Sequence, residues 1–447
     1  MGYNLTQTGA SVQALLNKID NVDQGVSTTD TPEFAGMTLT DDLDMNGYNL
    51  INTNTAYGVA WNEVADTYVR TGSLSAQACS QTLSDALLPI QSAMRRCILN
   101  DAGEVQYYLH ATDSTKREDG VLASDLTGGD GQVMVQIPKF YYKYGYASST
   151  HTWEISLTPA AGFSVHPAFI KNGVVVDYRY YSAYEGVGYD ASAAAYIDSG
   201  CVAATNWSGG LIDLVNDKLG SVSGFCPMVD ETRAEFRAIS ANRGTGWRQL
   251  DFDLVSAVQL LYLIEYADWN SQAMIGAGRT GISDGTWTKD SYIGVTGKSN
   301  SDGNGTNSVG GDTNDAYMTY RGIENFFGNV WKWVDGININ DNVPYVCNTD
   351  TDFADDTATG YTDLGITLAA ANGYQKYLEQ QTRGFLPASV GGDSGTYTTD
   401  YYYQSTGWRV VMLGGHAGTA LVAGVACWYA SADSSSDNVT IGGRICR

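Results

Sequence analysis

Residues 414–447, GGHAGTALVAGVACWYASADSSSDNVTIGGRICR, are the strongest constraint on what this chain can build. Six glycines (Gly414, Gly415, Gly418, Gly424, Gly442 and Gly443) punctuate a run of small and polar side chains around one Trp. Glycine supplies turn conformations closed to other residues, so this stretch is read as fixed turns carrying interchangeable side chains. From Leu413 to Gly443 there is no Lys, Arg, Glu, Gln, Met, Pro or Phe. A catalytic site there would lack most of its usual acids, bases and cations. A recognition surface would not need them.

The 447 residues are enough for two to four domains. With 51 Gly and 8 Pro, many tight turns and few rigid linkers are expected. The 30 Tyr are the compositional excess. Most fit ordinary sheet positions, and some suit contact surfaces, because Tyr offers a large amphipathic area at low entropy cost. The net charge of −24 opposes binding to phosphate backbones, so no nucleic-acid partner is expected. No apolar run reaches 18 residues, so no membrane span is expected. The seven cysteines include no CxxC and stand at least 18 apart, which excludes zinc ribbons and predicts reduced thiols in a protein made in a cytoplasm.

Near the N-terminus, Val12, Leu15, Ile19 and Val22 follow a 3-4-3 spacing that predicts a short helix over 11–22 with a coiled-coil seam. Two or three turns are not stable alone in water, so the seam needs copies or a neighbour. In TTDTPEFAGMTLTDDLDMNGYNLINT (28–53), apolar residues alternate with polar ones, and Asn46-Gly47 is a hairpin signal. These strands are too thin for a core of their own. The wording TQTGASVQALLNKID followed by TPEFAGMTLTDDLDMNGYNLIN resembles the N-terminal stalks of phage tail fibres. That resemblance implies a homotrimer in which each chain supplies a third of a shared core, attached to tail or baseplate proteins. The organisation read from this is a short coiled-coil helix (1–25), a trimeric β stalk (26–57), a connector (58–131) and a head (132–447).

Helical stretches are expected over 76–88 and 90–98 in the connector, then a strand over 132–144. Residues 253–269 predict a long helix, capped by Asp253 and apolar nearly all round, hence buried. In RGIENFFGNVWKWVDGI (321–337), Trp331 and Trp333 share one strand face, with Val330 and Val334 on the other, so the strand is central. GIENFFGNVWKWVDG with STGWRVVMLGG (405–415) is similar to the C-type-lectin-like fold of the formylglycine-generating-enzyme type. The fold class is therefore read as α+β, a C-type-lectin-like C-terminal head on the trimeric coiled-coil/β stalk. Enzymes of that type bind copper through two nearby cysteines. Here only Cys427 and then Cys446 are present, so the likeness is not taken to carry the activity.

The pattern GGxAG, AG, W, SS and IGGRxCR resembles the variable region of proteins diversified by phage diversity-generating retroelements. In that family a template copy is randomised at adenines, yielding small, aromatic and polar residues but not Lys, Glu, Gln, Met or Trp. The segment 413–443 fits apart from Trp428, which is assigned to a fixed frame with Gly415, Gly418, Gly424, Ile441 and Gly442. The resemblance places a variable region at 414–447. Its receptor-binding residues would be His416, Thr419, Leu421, Val422, Val425, Cys427, Tyr429, Ala432, Asp433 and Asp437, exposed together on one face.

Other constellations carry less. GGDSGT (391–396) lacks the His context of a serine protease. His416, Cys427 and Tyr429 have no carboxylate orienter nearby in sequence, so they are read as contact residues and not as a nucleophile pair. SDGNGTN (301–307) and DTDFADD (350–356) are Asx-rich and depart from the EF-hand pattern, so no metal is assigned. The expectation is a receptor-binding adhesin of a phage or prophage tail, carried on the virion. It would bind a bacterial surface protein or glycan, with no enzymatic activity and no cofactor. The alternatives are a glycan-binding tail lectin of fixed specificity and an enzyme of the formylglycine-generating fold.

Overall fold

The structure is a computed structural model. It describes the backbone of 43–45, 48–50 and 379, and residues 56–197, 212–282, 292–313, 315–378 and 384–447 with their side chains. The chain forms two compact units, Met1–Asn52 and Thr53–Arg447. In the first, Leu43–Met45 pairs antiparallel with Tyr48–Leu50, Met45 opposite Tyr48, flanking the expected hairpin turn. The expected helix over 11–22 and the rest of the stalk lie outside the described residues.

The second unit begins well before residue 132. Tyr57–Asn62 and Thr67–Gly72 form a five-stranded sheet with Tyr141–Ala147, Thr150–Ser156 and Ser164–Val165. Arg95–Leu99, Val105–His110 and Asp113–Arg117 belong to a seven-stranded sheet that continues through Gln132–Pro138 and Tyr178–Ser182 to Ile445–Cys446 and Arg248–Gln249. Residues 58–131 are therefore not a separate connector but part of the same unit as the head. The helices expected over 76–88 and 90–98 reduce to Asp85–Leu87 and Pro89–Ser92. Arg95–Leu99 is a strand because its alternate faces are both covered: Cys97, Ile98 and Leu99 are all buried, and it pairs on both edges. Tertiary pairing overrides the local helical preference there.

The long helix is Phe252–Tyr266, and all its residues but Tyr266 are buried. Its cap is Asp251, not Asp253: the Asp251 carboxylate accepts from Leu254 N–H at 2.9 Å. Its apolar sides meet all three large sheets, so Leu254, Val258 and Leu261 share one core with Trp61, Trp153, Val135, Tyr181, Val334 and Trp428. Arg233–Ala241 is the second helix, closed by a capping box between Thr232 and Glu235.

The third sheet has nine strands. Its main path runs Thr362–Asp363, Val343–Val346, Trp331–Asn340, Trp408–Leu413, Trp428–Ala432, Tyr401–Gln404, Gly373–Glu379 and Leu386–Val390. Ile441–Gly442 adds to the Trp331 strand in parallel. As expected, the Trp331 strand is central. Trp331 and Trp333 enter a core on one face with Met412 and Cys427, while Val334 joins the helix-side core. Both faces are thus covered, which favours the bulky apolar residues found there. Cys226 is disulfide-bonded, against the expectation of reduced thiols, while Cys79, Cys97, Cys427 and Cys446 are free thiols. Among the described residues no helix is long and apolar enough to cross a membrane.

Candidate binding surface

Alternation along two neighbouring strands creates the site. Tyr401–Gln404 and Trp428–Ala432 run parallel, with Tyr402 opposite Trp428 and Tyr403 opposite Tyr429. Tyr402 and Trp428 turn into the helix-side core, where the Trp428 indole N–H donates to Phe385 O at 3.0 Å. Tyr401, Tyr403 and Tyr429 consequently face the other way and stay half-buried. Their rings form a continuous row. Tyr374 meets Tyr401 edge-on at 5.2 Å, Tyr401 meets Tyr403 at 4.7 Å, and Tyr403 meets Tyr429 at 5.1 Å. Tyr429 then meets Trp331 at 5.5 Å, and Trp331 meets His416 at 6.2 Å. All fall within the range of favourable aromatic pairing.

Two buried devices hold this row. Lys332, beside Trp331, is fully buried and pairs with Glu185 at 3.1 Å while donating to Gly328 O. Burial pushes its ammonium down to about 8 despite the Glu185 charge. Asn329 also donates to Glu185, so the carboxylate clamps the turn before the Trp331 strand. On the other side, buried Asp400 accepts from Ala426 N–H at 2.7 Å, and desolvation holds its carboxyl well above the usual carboxylate range.

His416 lies in the turn after Trp408–Leu413. Its N–H donates to Thr419 Oγ1 at 2.7 Å, and its Nδ1 accepts from Gly418 N–H at 3.1 Å. A Cβ at Gly418 would stand 1.9 Å from Tyr292 Oη, so a side chain there would require the Tyr292 ring to shift. Burial first, then the Lys332 charge, push the His416 imidazole down to about 4. It is neutral at physiological pH. Burial, then Cys427 and the neighbouring tyrosines, push the Tyr403 phenol up to about 12, so it too is neutral.

The structure divides the ten residues singled out in the sequence. Val425, Cys427 and Ala432 are buried and cannot contact a partner, which corrects the expectation that all ten are exposed. Val425 packs in the helix-side core, and Cys427 and Ala432 pack with Trp333 and Val410. Burial also holds the Cys427 thiol protonated, far above its ordinary range. His416 and Tyr429 converge on Trp331. Thr419 is half-buried and serves the His416 turn. Leu421 is exposed and Val422 half-buried on the short turn Ala420–Val422, which Gln272 holds by donating to Ala420 O and Ala423 O. Asp433 and Asp437 are exposed in the loop after Trp428–Ala432. That loop is anchored where Asp230 N–H donates to Asn438 O and Ile441 O. Of the assigned frame, Gly415, Gly424, Trp428, Ile441 and Gly442 are buried, and Gly418 is exposed.

Tyr374, Tyr401 and Tyr403 were missed. The signal was present: a Tyr-Tyr-Tyr-Gln run must send alternate tyrosines to opposite sheet faces. The Asx-rich loops spend their acids internally. Asp302 accepts from Tyr317 Oη at 2.6 Å, Asp350 pairs with Arg248, and Asp355 pairs with Arg233 and Arg237. Among the described residues no group of three or more His, Cys, Asp or Glu is arranged to hold a metal ion.

No protein-family model matches the sequence, and no curated protein is similar to it. Among solved structures, the Major Tropism Determinant P3c variant aligns with 12% identity over 88% of this chain and 71% of that chain, at a TM-score of 0.27. At that level the likeness carries no argument about fold or activity.

Proposed function

We propose that this chain is a receptor-binding protein of a phage or prophage tail, which holds a bacterial surface molecule on the face around Trp331, Tyr403 and Tyr429. The observation that carries the reading is the row of half-buried tyrosines, Tyr401, Tyr403 and Tyr429, set against the buried Trp331 on a sheet whose other face packs in the helix-side core. Such a row gives contact area that is already ordered, which lowers the entropy cost of binding. The C-terminal segment supplies Tyr429 and His416 directly, with Thr419, Leu421, Val422, Asp433 and Asp437 on neighbouring turns. These positions are proposed as the exchangeable contacts of a C-type-lectin-like head, and 414–447 as a diversified segment. The N-terminal unit is proposed as a trimeric stalk joining the head to the tail, so that three sites gain strength by acting together. The chain acts by binding, without a cofactor.

The test is adsorption of fluorescently labelled full-length protein to a panel of bacterial strains. Some strains are expected to bind, and the double variant Tyr403→Ala/Tyr429→Ala should lose about tenfold or more in affinity, as contact aromatics do. Failure to bind any strain, or equal binding by the variant, would refute the reading.

A further inference from the structure

Resting on that reading, we infer that the aromatic row takes a neutral, hydroxyl-rich glycan chain. Three observations converge. The rings of Tyr374, Tyr401, Tyr403 and Tyr429 follow one another at 4.7–5.2 Å and end against the buried Trp331, which meets both Tyr429 and Tyr403 and lies 6.2 Å from His416, so the half-buried tyrosines form an elongated patch. An extended chain matches that shape better than a compact domain, whose interface needs about 800 Å² on each side and a buried central anchor. The second observation is polar. None of the hydroxyls of Tyr374, Tyr401, Tyr403 and Tyr429 has a hydrogen-bond partner among the described residues, and none is a buried orphan. Four phenols thus present free donors and acceptors beside apolar ring faces. A pyranose offers the complement, C–H faces bordered by hydroxyls.

The third observation is charge. No Lys or Arg occurs from 410 to 443, the His416 ring is neutral, and Asp433 and Asp437 stand exposed in the next loop. The chain carries −24 overall. Phosphate- or uronate-bearing polymers would meet the exposed Asp433 and Asp437, against which the nearby cations are Arg409, itself acting on Asp433, and Lys376 on the Tyr374 strand. An uncharged chain avoids that repulsion.

The experiment uses the full chain on two printed panels. One holds neutral hexose and N-acetylhexosamine oligosaccharides, the other the same backbones bearing uronate or phosphate. Binding is expected on the neutral panel and not on the anionic one. Tyr403→Ala and Tyr429→Ala should each weaken it about tenfold. Tyr403→Phe, which keeps the ring and the fold, should weaken it by a smaller factor. Melting temperature and light-scattering mass are recorded for every variant. Preference for the anionic panel, or no binding to either, overturns the glycan assignment. So does equal binding by Tyr403→Phe and Tyr429→Ala to that of the wild type. A fall in mass on substituting these tyrosines would show instead that the row joins copies of the chain. If strains bind the protein and protease treatment of the cells abolishes this while periodate does not, the receptor is a protein. The glycan assignment then fails and the receptor-binding reading stands. If neither cells nor glycans bind, both fail.

Discussion

At the scale of single residues, neighbours in the chain have opposite duties. Trp428, Ala430 and Ala432 are buried, while Tyr429 and Ser431 between them reach solvent. That period of two was readable in the sequence and would have removed Ala432 from the contact set. It could not have removed Cys427, which lies just before the strand, where the following residues set no period. His416 shows what the surroundings add. Its ordinary pKa is about 6.5, and in the fold it is pushed down to about 4 by burial and Lys332. The folded state therefore binds fewer protons than the unfolded state between those values. Stability falls as pH drops from about 6.5 to about 4, by up to about 3 kcal/mol for a shift of this size. Glu231, which burial and the neighbouring acids push up to about 8, slopes the other way as pH rises from its ordinary range towards 8. Comparing wild type with His416→Gln cancels that contribution. Urea unfolding at pH 7, 5.5 and 4.5 should show the wild type losing more stability than the variant. Parallel pH profiles would mean that the imidazole is not held neutral.

At the scale of elements, the buried helix was legible because an apolar pattern on every side has few other readings. Its start was not, because Asp251 and Asp253 both suit a cap and the deciding partners are remote. Asp251 caps Leu254, and its other oxygen meets Arg179 at 2.6 Å and Arg248 at 2.9 Å, all three side chains being buried. These two arginines hold its carboxyl far below the usual range against the pull of desolvation. Asp251→Ala removes a cap, worth about 1 kcal/mol, and leaves the buried Arg179 guanidinium without its carboxylate and Arg248 with Asp350 alone, which costs about 3 kcal/mol or more. Asp251→Asn keeps an oxygen for the cap and loses only the charge. Denaturant titration should rank wild type, Asn and Ala in falling stability, with Ala lower than wild type by about 4 kcal/mol. Equal losses for the two variants would assign the whole effect to the ion pairs. The strand Arg95–Leu99 was misread for a related reason. Its two pairing partners lie elsewhere in the chain, and no local pattern announces them.

At the scale of the whole molecule, the segment proposed to carry contact residues also completes the fold. Sequence reading saw 414–447 as a surface on a Gly-rich frame, and it missed how deeply residues 441–447 are built in. Ile441 pairs with Trp331, and Cys446 pairs with both Tyr181 and Arg248, so one short strand bridges two others in the seven-stranded sheet. Arg444 is fully buried and donates to Ser182 O, Glu324 O and Asn325 O, three carbonyls from two regions far apart in sequence. Arg447 exchanges backbone hydrogen bonds with Tyr180 and reaches Ala102 O at 2.9 Å. Removing 443–447 would leave these carbonyls and two strand edges unpaired in an apolar interior. Each buried orphan costs about 1–3 kcal/mol, against a total stability of roughly 5–15 kcal/mol for a domain. The truncated chain should therefore fail to give a cooperative melt, and limited proteolysis should cut it throughout the second unit. Substitutions at Leu421, Asp433 or Asp437, in the same segment, should move the melting temperature by no more than surface changes do, about 0.5 kcal/mol in stability. A truncated protein that melts like the wild type would show that the last five residues are not part of the core. A collapse on changing Leu421 would show that the turns are not exchangeable. The contrast between the two sets of variants measures how sharply this chain separates a substitution-tolerant surface from a packed interior.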